Sequence, residues 1–185
     1  MSYFNLNYFR RLVNKAHKSG NNYDYTMVHF YAGQRLKEIG DGANRTVYRL
    51  NANQVLKVEN RNNEDFSGQN ANEIYISKTY DRRNRIFTRV IKYDRKHFWL
   101  IAEYAKKINS QQFKDIAGFS FSKRKIENPG SNKFAQELLY FANKYEMYDF
   151  KLSNFGLYRN KIVLVDYGFC SEKQWNVNSG TIKKR

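Results

Sequence analysis

Near the C-terminal end, two polar motifs stand so close together that the chain between them has little freedom. Asp149-Phe150-Lys151-Leu152-Ser153-Asn154 is followed, twelve residues after Asn154, by Asp166-Tyr167-Gly168. The residues between them read as two short strands, Phe155 to Tyr158 and Ile162 to Val165, around the turn Arg159-Asn160. That hairpin starts at Asn154 and ends at Asp166. Carboxylate and amide oxygens suit a hard cation, and a lysine beside them suits an anion. Either motif alone is an ordinary polar loop or strand-ending turn, so what precedes them decides the reading.

Upstream, the hydrophobic period changes repeatedly. Phe4, Tyr8, Phe9, Leu12, Val13 and Ala16 have helical spacing, with Ser2 as a candidate cap and Gly20-Asn21-Asn22 as the stop. The segments 35–39, 45–50 and 54–59 then alternate as strands, with Asn51-Ala52-Asn53 as a hairpin turn. The stretch from Asn60 to Gln69 is polar and reads as a loop, and Ala71 to Tyr80 as a helix. Two further strands, Ile86 to Tyr93 and His97 to Tyr104, flank the turn Asp94-Arg95-Lys96. This makes five strands with one helix inserted after the third. Beyond residue 108 the pattern is helical: a short helix around Gln111 to Ala117, a basic loop with Pro129-Gly130, and a clearer helix. That last helix carries Phe134, Leu138, Leu139, Phe141, Ala142 and Tyr145 on one face, with Ser131 as its candidate cap.

Composition bounds the classes open to such a chain. A length of 185 residues fits one domain, or one domain with an appended helix. With 41% hydrophobic and 17% aromatic residues it is globular and not disordered. Cys170 is the only cysteine, which excludes an intrachain disulfide and points to a reducing compartment. His17, His29 and His97 lack metal-ligand spacing, and no apolar run has the length of a membrane span. The expectation is a cytoplasmic protein with no membrane partner. The formal charge of +16 favours nucleic acid, nucleotides and acidic proteins as neighbours. Its clusters include Arg10-Arg11, Arg82-Arg83 with Arg85, Lys123-Arg124-Lys125 and Lys183-Lys184-Arg185. They are spread along the chain without a nucleic-acid motif, and each also reads as solvated surface charge.

Four further features stand upstream of the two motifs, in a fixed order. Gly40-Asp41-Gly42 lies between two strands, with Val47 in the second, where a backbone without Cβ atoms can fold closely over a polyphosphate. Arg45 stands where a third glycine would complete that pattern, and it could touch a phosphate. Lys57 lies in the strand Val55-Leu56-Lys57-Val58, on the face opposite Leu56 and Val58, where a cation wants a carboxylate and an anion. Glu73, sixteen residues on in the inserted helix, is the best partner, with Glu64 in the loop as an alternative. Separately these are a hairpin, a solvent-facing lysine and a helix glutamate. In one order, each on the secondary structure its task requires, they are hard to ascribe to coincidence.

From about residue 34 to 170, this set resembles the eukaryotic-type Ser/Thr protein kinases. The resemblance implies an α+β, two-lobed fold: a five-stranded antiparallel small lobe with one inserted helix, and a strongly truncated helical large lobe. The implied division is 1–33, an N-terminal helical extension; 34–105, the small lobe; and 106–185, a minimal large lobe with catalytic loop and basic tail. It also implies ATP and Mg²⁺ as cofactors, with Gly40, Gly42, Arg45, Val47 and Lys57 around the nucleotide. Glu103-Tyr104-Ala105 would hold the adenine through backbone hydrogen bonds, so Glu103 and Ala105 join the nucleotide set. Asp149 would accept or orient the substrate hydroxyl, Lys151 would neutralise the transferred group, and Asn154 and Asp166 would hold the metal. Lys57 and Glu73 would form the ion pair of the catalytic set, and Gly168 would permit a sharp turn after Asp166.

Three departures shape the expectation. Met147-Tyr148 replaces the His-Arg that ordinarily precedes the catalytic Asp, so no arginine reads a phosphorylated loop. Only 17 residues follow Gly168, which is similar to the compact kinase-like proteins of bacteriophages and other viruses. The peptide-docking platform is missing, and the N-terminal helix with Trp175 is expected to replace some of its packing. The leading expectation is therefore a minimal, constitutively competent Ser/Thr protein kinase. It would act on a protein substrate, with acidic or nucleic-acid-associated proteins as candidates, in the host cytoplasm if the protein is viral. A second reading is a catalytically silent module that binds a host protein or nucleic acid through its basic surface. A third is a small-molecule kinase of the same fold, against which Lys151 argues. Oligomeric state is left open.

Overall fold

Asparagine side chains begin four of the five helices among the described residues, each accepting a backbone N–H that the first turn leaves without a partner. The computed structural model of the chain describes residues 3–42, 44–62, 65–66, 68–80, 86–119, 130–147 and 149–168. Helix α1 (Leu6–Ser19) is capped by Asn5, and Gly20 in the left-handed conformation (φ 68°) closes it. Ser2, expected as that cap, lies outside the described residues. Asn21 opens a second helix, α2 (Asn22–Arg35), which the sequence reading did not distinguish from its predecessor. Its buried Tyr25, Val28, Tyr31 and Ala32 alternate with the exposed Tyr23 and Phe30, so polarity does not mark its inner face.

Because α2 takes Arg35, strand β1 begins two residues later than expected, at Lys37–Asp41. It is followed by β2 (Arg45–Arg49) and β3 (Gln54–Glu59). A two-residue hairpin, β4 (Arg61–Asn62) with β5 (Asp65–Phe66), stands where a polar loop was expected. Helix α3 (Gln69–Thr79) then precedes β6 (Val90–Tyr93) and β7 (Trp99–Glu103). The main sheet has the order β1-β2-β3-β7-β6 and is antiparallel throughout, with α3 inserted after its third strand as the sequence indicates. Of the strand expected from Ile86, only Val90 onward joins this sheet. Phe87 instead makes a parallel bridge to Leu164.

Alternation along β3 divides the sheet into two unlike faces. Leu56 and Val58, with Tyr48, Trp99 and Ile101, pack under Phe9, Val13, Val28 and Ala32 of α1 and α2. The N-terminal helices thus cover the back of the sheet and do not substitute for helices of the C-terminal half, because their apolar faces match this surface. Trp175 lies outside the described residues. Val55, Leu100 and Ala102 occupy the opposite face with Ile74 of α3, and Ile39, Val47, Val90 and Tyr104 border them.

The second half comprises β8 (Lys106–Lys107), α4 (Ser110–Ala117), α5 (Lys133–Tyr145), a 3₁₀ turn (Leu152–Asn154), β9 (Phe155–Tyr158) and β10 (Lys161–Leu164). Asn132, one residue after the expected Ser131, caps α5 by accepting from the Ala135 N–H at 2.9 Å. Arg159 and Asn160 both have positive φ (49° and 62°), the signature of the tight turn that matches strand twist. Strands β10, β9 and β8 form a small sheet over a core of Phe113, Leu138, Phe141, Tyr145, Phe155 and Leu164. This core continues into α3 and the Phe87 segment through Ile76, Tyr80 and Ile86. Two backbone bonds secure the junction: Thr88 N–H to Leu164 O (3.1 Å) and Leu164 N–H to Ile86 O (2.6 Å). No described helix is long and apolar enough to cross a membrane.

One polar contact ties α1 to the far edge of the sheet. His17 Nε2 lies 2.8 Å from Asp94 Oδ2 in the β6–β7 turn, and its Nδ1 lies 2.9 Å from the Tyr25 hydroxyl. Burial opposes the Asp94 charge, but His17 and the N–H groups of Phe98 and Lys96 outweigh it and hold the carboxyl below its ordinary value. The Asp94 contribution to stability is therefore complete above the unfolded carboxyl value of about 4 and fades as pH falls through the lower folded value. Asp94→Ala is expected to cost about 1–3 kcal/mol at pH 7. Urea denaturation at pH 7 and in acid checks this: the gap between wild type and variant must narrow as pH drops below 4.

Candidate active site

The site is built around one carboxylate. Glu73, on the inner face of α3, is 0% exposed. Lys57 reaches it from β3, with Nζ 2.9 and 2.7 Å from the two carboxylate oxygens. The sequence reading named Glu73 as the partner of Lys57, and the structure makes that pair. The runner-up, Glu64, lies outside the described residues. Lys57 Nζ also donates to the Val165 carbonyl, one residue before Asp166. Burial drives the Lys57 ammonium below its ordinary value, Arg45 adds to that effect, and Glu73 and Asp166 oppose it.

Helix α3 is held in place at its start by a second buried acid. Gly68, in the left-handed conformation (φ 73°), offers no side chain to cap the helix. Glu59 at the end of β3 accepts instead from the N–H groups of Gly68 (3.2 Å) and Asn70 (2.6 Å). A carboxylate at a helix N-terminus satisfies donors that would otherwise be orphaned and complements the helix dipole.

Arg45 occupies a place that the sequence pattern does not indicate. Its side chain is only 4% exposed and turns into the cleft beneath the β1–β2 hairpin. There its Nη2 donates both to Glu73 and to Asp166 Oδ1, the latter at 2.6 Å, while Nη1 donates to Asn70 Oδ1 at 3.2 Å. The sequence reading has Arg45 touch a phosphate; here its guanidinium is engaged by two carboxylates and the Asn70 amide, which neutralise its burial. Burial opposes the Arg45 charge, but Asp166 and Glu73 outweigh it, leaving the group more basic than an ordinary guanidinium.

The C-terminal motifs come together as the short hairpin requires. Val165 N–H donates to the Asn154 carbonyl at 2.7 Å, which sets Asp166 against the 3₁₀ turn. The Asn154 side-chain amide donates to the Asp149 carbonyl at 2.8 Å, fixing the loop that carries Asp149. Lys151 Nζ lies 2.8 Å from Asp149 Oδ2. The Asp166 side chain remains 40% exposed. Burial works against its charge, but Arg45, Lys57 and Lys151 outweigh it and hold the carboxyl below the ordinary value.

Gly168, expected at a sharp turn that runs on beyond the described residues, has no positive φ and is needed here for a close approach. A Cβ there would stand 2.3 Å from the Gln69 carbonyl oxygen, so glycine is needed for the close approach of this segment to α3. The Asn72 amide donates to the Gly168 carbonyl at 2.7 Å across the same junction. Tyr167 is buried against Phe87 and donates its hydroxyl to the Thr88 carbonyl at 2.6 Å. Burial raises its phenol well above the ordinary value.

The nucleotide-side candidates are placed as follows. Gly40 pairs with Val47 in the β1–β2 ladder, and the Gly42 N–H donates to the Arg45 carbonyl at 3.0 Å. A Cβ at either glycine would meet nothing closer than 3.5 Å, so the fold itself does not demand glycine there. Val47 packs against the buried Val55 and Ala102 on the same face of the sheet. The Glu103 N–H donates to the Arg89 carbonyl, and the Glu103 carboxylate accepts from the Arg89 N–H (3.0 Å) and the Tyr158 hydroxyl (3.1 Å). Ala105 lies against Gly156, where a Cβ would come within 2.7 Å of the Ala105 Cβ. The basic clusters at 82–85, 123–125 and 183–185, with Cys170 and Tyr148, lie outside the described residues.

No group of three His, Cys, Asp or Glu side chains gathers as a metal site among the described residues. Mg²⁺ needs less from a protein when phosphates complete its shell, one or two oxygen ligands being usual. Asn154 and Asp166 carry oxygen donors of that kind: Arg45 takes Oδ1 of Asp166, whose other oxygen has no ion pair among the described residues, and Ser153 donates to Oδ1 of Asn154 at 3.4 Å.

No protein-family profile and no curated protein sequence matches the chain. Solved structures do. The chain is similar to WbdD bound to the kinase inhibitor LY294002, at a TM-score of 0.42 and 15% identity, covering 69% of this chain and 31% of that one. It is similar to APH(2″)-IIa in its ternary complex with streptomycin and ATP, at a TM-score of 0.40 and 13% identity over 72% of this chain and 65% of that one. It is also similar to SAICAR synthase from Saccharomyces cerevisiae with SAICAR, at a TM-score of 0.40 and 12% identity over 71% and 73%. The chain thus spans less than a third of the first protein and just under two thirds of the second. At these values the chemistry must be read from the side chains described above.

Removing Glu73 would leave two buried cations facing each other. Glu73→Ala is expected to destabilise the protein by about 3–5 kcal/mol, the usual cost of leaving a buried charge uncompensated. The shift of the urea midpoint at constant slope measures it, and a loss below about 1 kcal/mol would mean that water replaces the carboxylate.

Proposed function

We propose that this chain is a phosphotransferase that uses ATP and Mg²⁺ to phosphorylate serine or threonine hydroxyls of a protein. The observation that carries the reading is the convergence of the Lys57–Glu73 pair with Asn154 and Asp166 around one polar cleft. Its electrostatics suit a polyphosphate: the lysine is held rigid by a buried carboxylate, and its pKa is already pushed down by burial. An incoming phosphate would offset that penalty. Two glycines unneeded by the fold stand above the cleft, as close approach by a phosphate chain would require. Val47, Val55 and Ala102 give an apolar face against which a base could pack, with the Glu103 to Ala105 segment following Ala102 in the chain.

In this reading the acceptor hydroxyl passes its proton to the Asp149 carboxylate as its oxygen bonds to the γ-phosphorus. The bond from the γ-phosphorus to the bridging oxygen of ADP breaks in the same displacement. Lys151, paired with Asp149 at 2.8 Å, is placed to neutralise charge on the group in transfer. Asn154 and Asp166 would hold Mg²⁺, which when bound supplies charge neutralisation between the phosphates. Asn154 also orients the base through its bond to the Asp149 carbonyl. The charge of +16 favours an acidic or nucleic-acid-associated protein as acceptor.

A second reading has one observation in its favour. Arg45 already sits on Asp166, as it would in a silent module that binds a protein or nucleic acid through its charge of +16. Transfer assays separate the two. Purified protein with labelled ATP and Mg²⁺ is expected to label itself or a generic acceptor protein, and Asp149→Asn is expected to reduce this by about 10³-fold or more without changing the melting temperature. Equal labelling by wild type and variant, or salt-sensitive nucleic-acid binding with no labelling at all, would favour the silent module.

A further inference from the structure

We infer that Arg45 is a resident cation that takes the place of a second divalent metal ion, so that the cleft accepts one metal per nucleotide. The inference rests on Asn154 and Asp166 being the metal ligands, as proposed above. It adds that a side chain, and not a second ion, neutralises the remaining negative charge.

Glu73 and Asp166 contribute two negative charges, and Lys57 and Arg45 two positive ones, linked in a row by the ion pairs Lys57–Glu73, Glu73–Arg45 and Arg45–Asp166. Lys57 is spent on Glu73, contacting both of its oxygens. Arg45 is therefore the cation that bridges from Glu73 to Asp166. Without it, Glu73 would keep Lys57 as its ion-pair partner, and the 40% exposed Asp166 would have none among the described residues, with the Asn154 backbone carbonyl close to its own N–H. Such a group of oxygens attracts a divalent ion.

The geometry of the arginine fits this role. A guanidinium is planar and always charged, and its donors can serve two carboxylates at once, which a single ammonium does less well. The Asn70 amide oxygen fixes the plane from the side at 3.2 Å. Arg45 Nε has no hydrogen-bond partner among the described residues, although it is buried. An unsatisfied buried donor is costly, so the side chain sits here for its charge and not because its hydrogen bonds are optimal. Its backbone lies directly after the Gly40 to Gly42 turn, paired with Glu59 across β2 and β3, which fixes the entry of the side chain into the cleft. A glycine at this position would leave the two carboxylates open to an ion.

The test is a Mn²⁺ titration followed by electron paramagnetic resonance, with Mn²⁺ alone and then with a non-hydrolysable ATP analogue. Without nucleotide, Arg45→Gln is expected to bind Mn²⁺ at least about tenfold more tightly than wild type, since a unit charge within a few ångströms of the ligand is lost. Arg45→Lys, which keeps the charge, should stay close to wild type, and Asp166→Asn added to Arg45→Gln should abolish the gain. With the analogue, wild type is expected to take up one Mn²⁺ and Arg45→Gln two. Equal affinity of wild type and Arg45→Gln, or a gain that survives Asp166→Asn, would overturn the inference. If Arg45→Gln does not fold, wild type alone decides, because two Mn²⁺ per bound analogue would also overturn it. Failure of wild type to bind the analogue would contradict the phosphotransferase reading, and the nucleotide-free comparison would still decide the role of Arg45.

Discussion

A buried glutamate shared by two cations is the constraint on which the rest of this structure depends. Glu73 has no exposure, and Lys57 and Arg45 have almost none. Burying charges is expensive unless each finds partners of good geometry, so every element carrying one of these groups must arrive in register. Strand β3 delivers Lys57, β2 delivers Arg45, α3 delivers Glu73, and the segment after β10 delivers Asp166. A single electrostatic knot thereby fixes the position of the helix relative to the sheet, and of both relative to the C-terminal hairpin.

Other features can be understood as support for that knot. Glu59 anchors the start of α3 through two backbone N–H groups, so Glu73 cannot slide along the sheet. Gly168 lets the chain after Asp166 pass within van der Waals distance of the same helix end. Tyr167, between these two, plants its ring in the C-terminal core and its hydroxyl on Thr88. On the opposite face of the sheet, α1 and α2 bury Leu56 and Val58, the neighbours of Lys57, and so hold the strand that carries the lysine. The back of the sheet supplies rigidity, and the front supplies charge.

Much of this was legible in the sequence because the relevant signals are local. The alternation Val55-Leu56-Lys57-Val58 reveals both the strand and the face on which Lys57 lies, and sixteen residues to Glu73 leave room for only one loop and part of a helix. The hairpin between Asn154 and Asp166 was likewise readable from its turn and its length. What could not be read depends on distant partners. Arg45 resembles a broken glycine pattern until its carboxylate neighbours, 28 and 121 residues away, are brought beside it. Helix α2 was hidden because its aromatic residues surround it, and only packing decides which of them turn inward. Gly168 was read as a turn glycine, whereas its role is to approach a helix start that lies far away in the sequence. The cap of α5 passed from Ser131 to Asn132 because adjacent polar residues are equivalent until the first helical turn is fixed.

The central claim is that this knot of charges forms one edge of a phosphate site. A crystal structure with a non-hydrolysable ATP analogue and Mg²⁺ tests it most directly. The account predicts the phosphates beside Lys57, with the metal on Asn154 and Asp166 and the terminal phosphate facing Asp149. Nucleotide bound elsewhere on the molecule, with the Lys57–Glu73–Arg45–Asp166 cluster untouched, would contradict it.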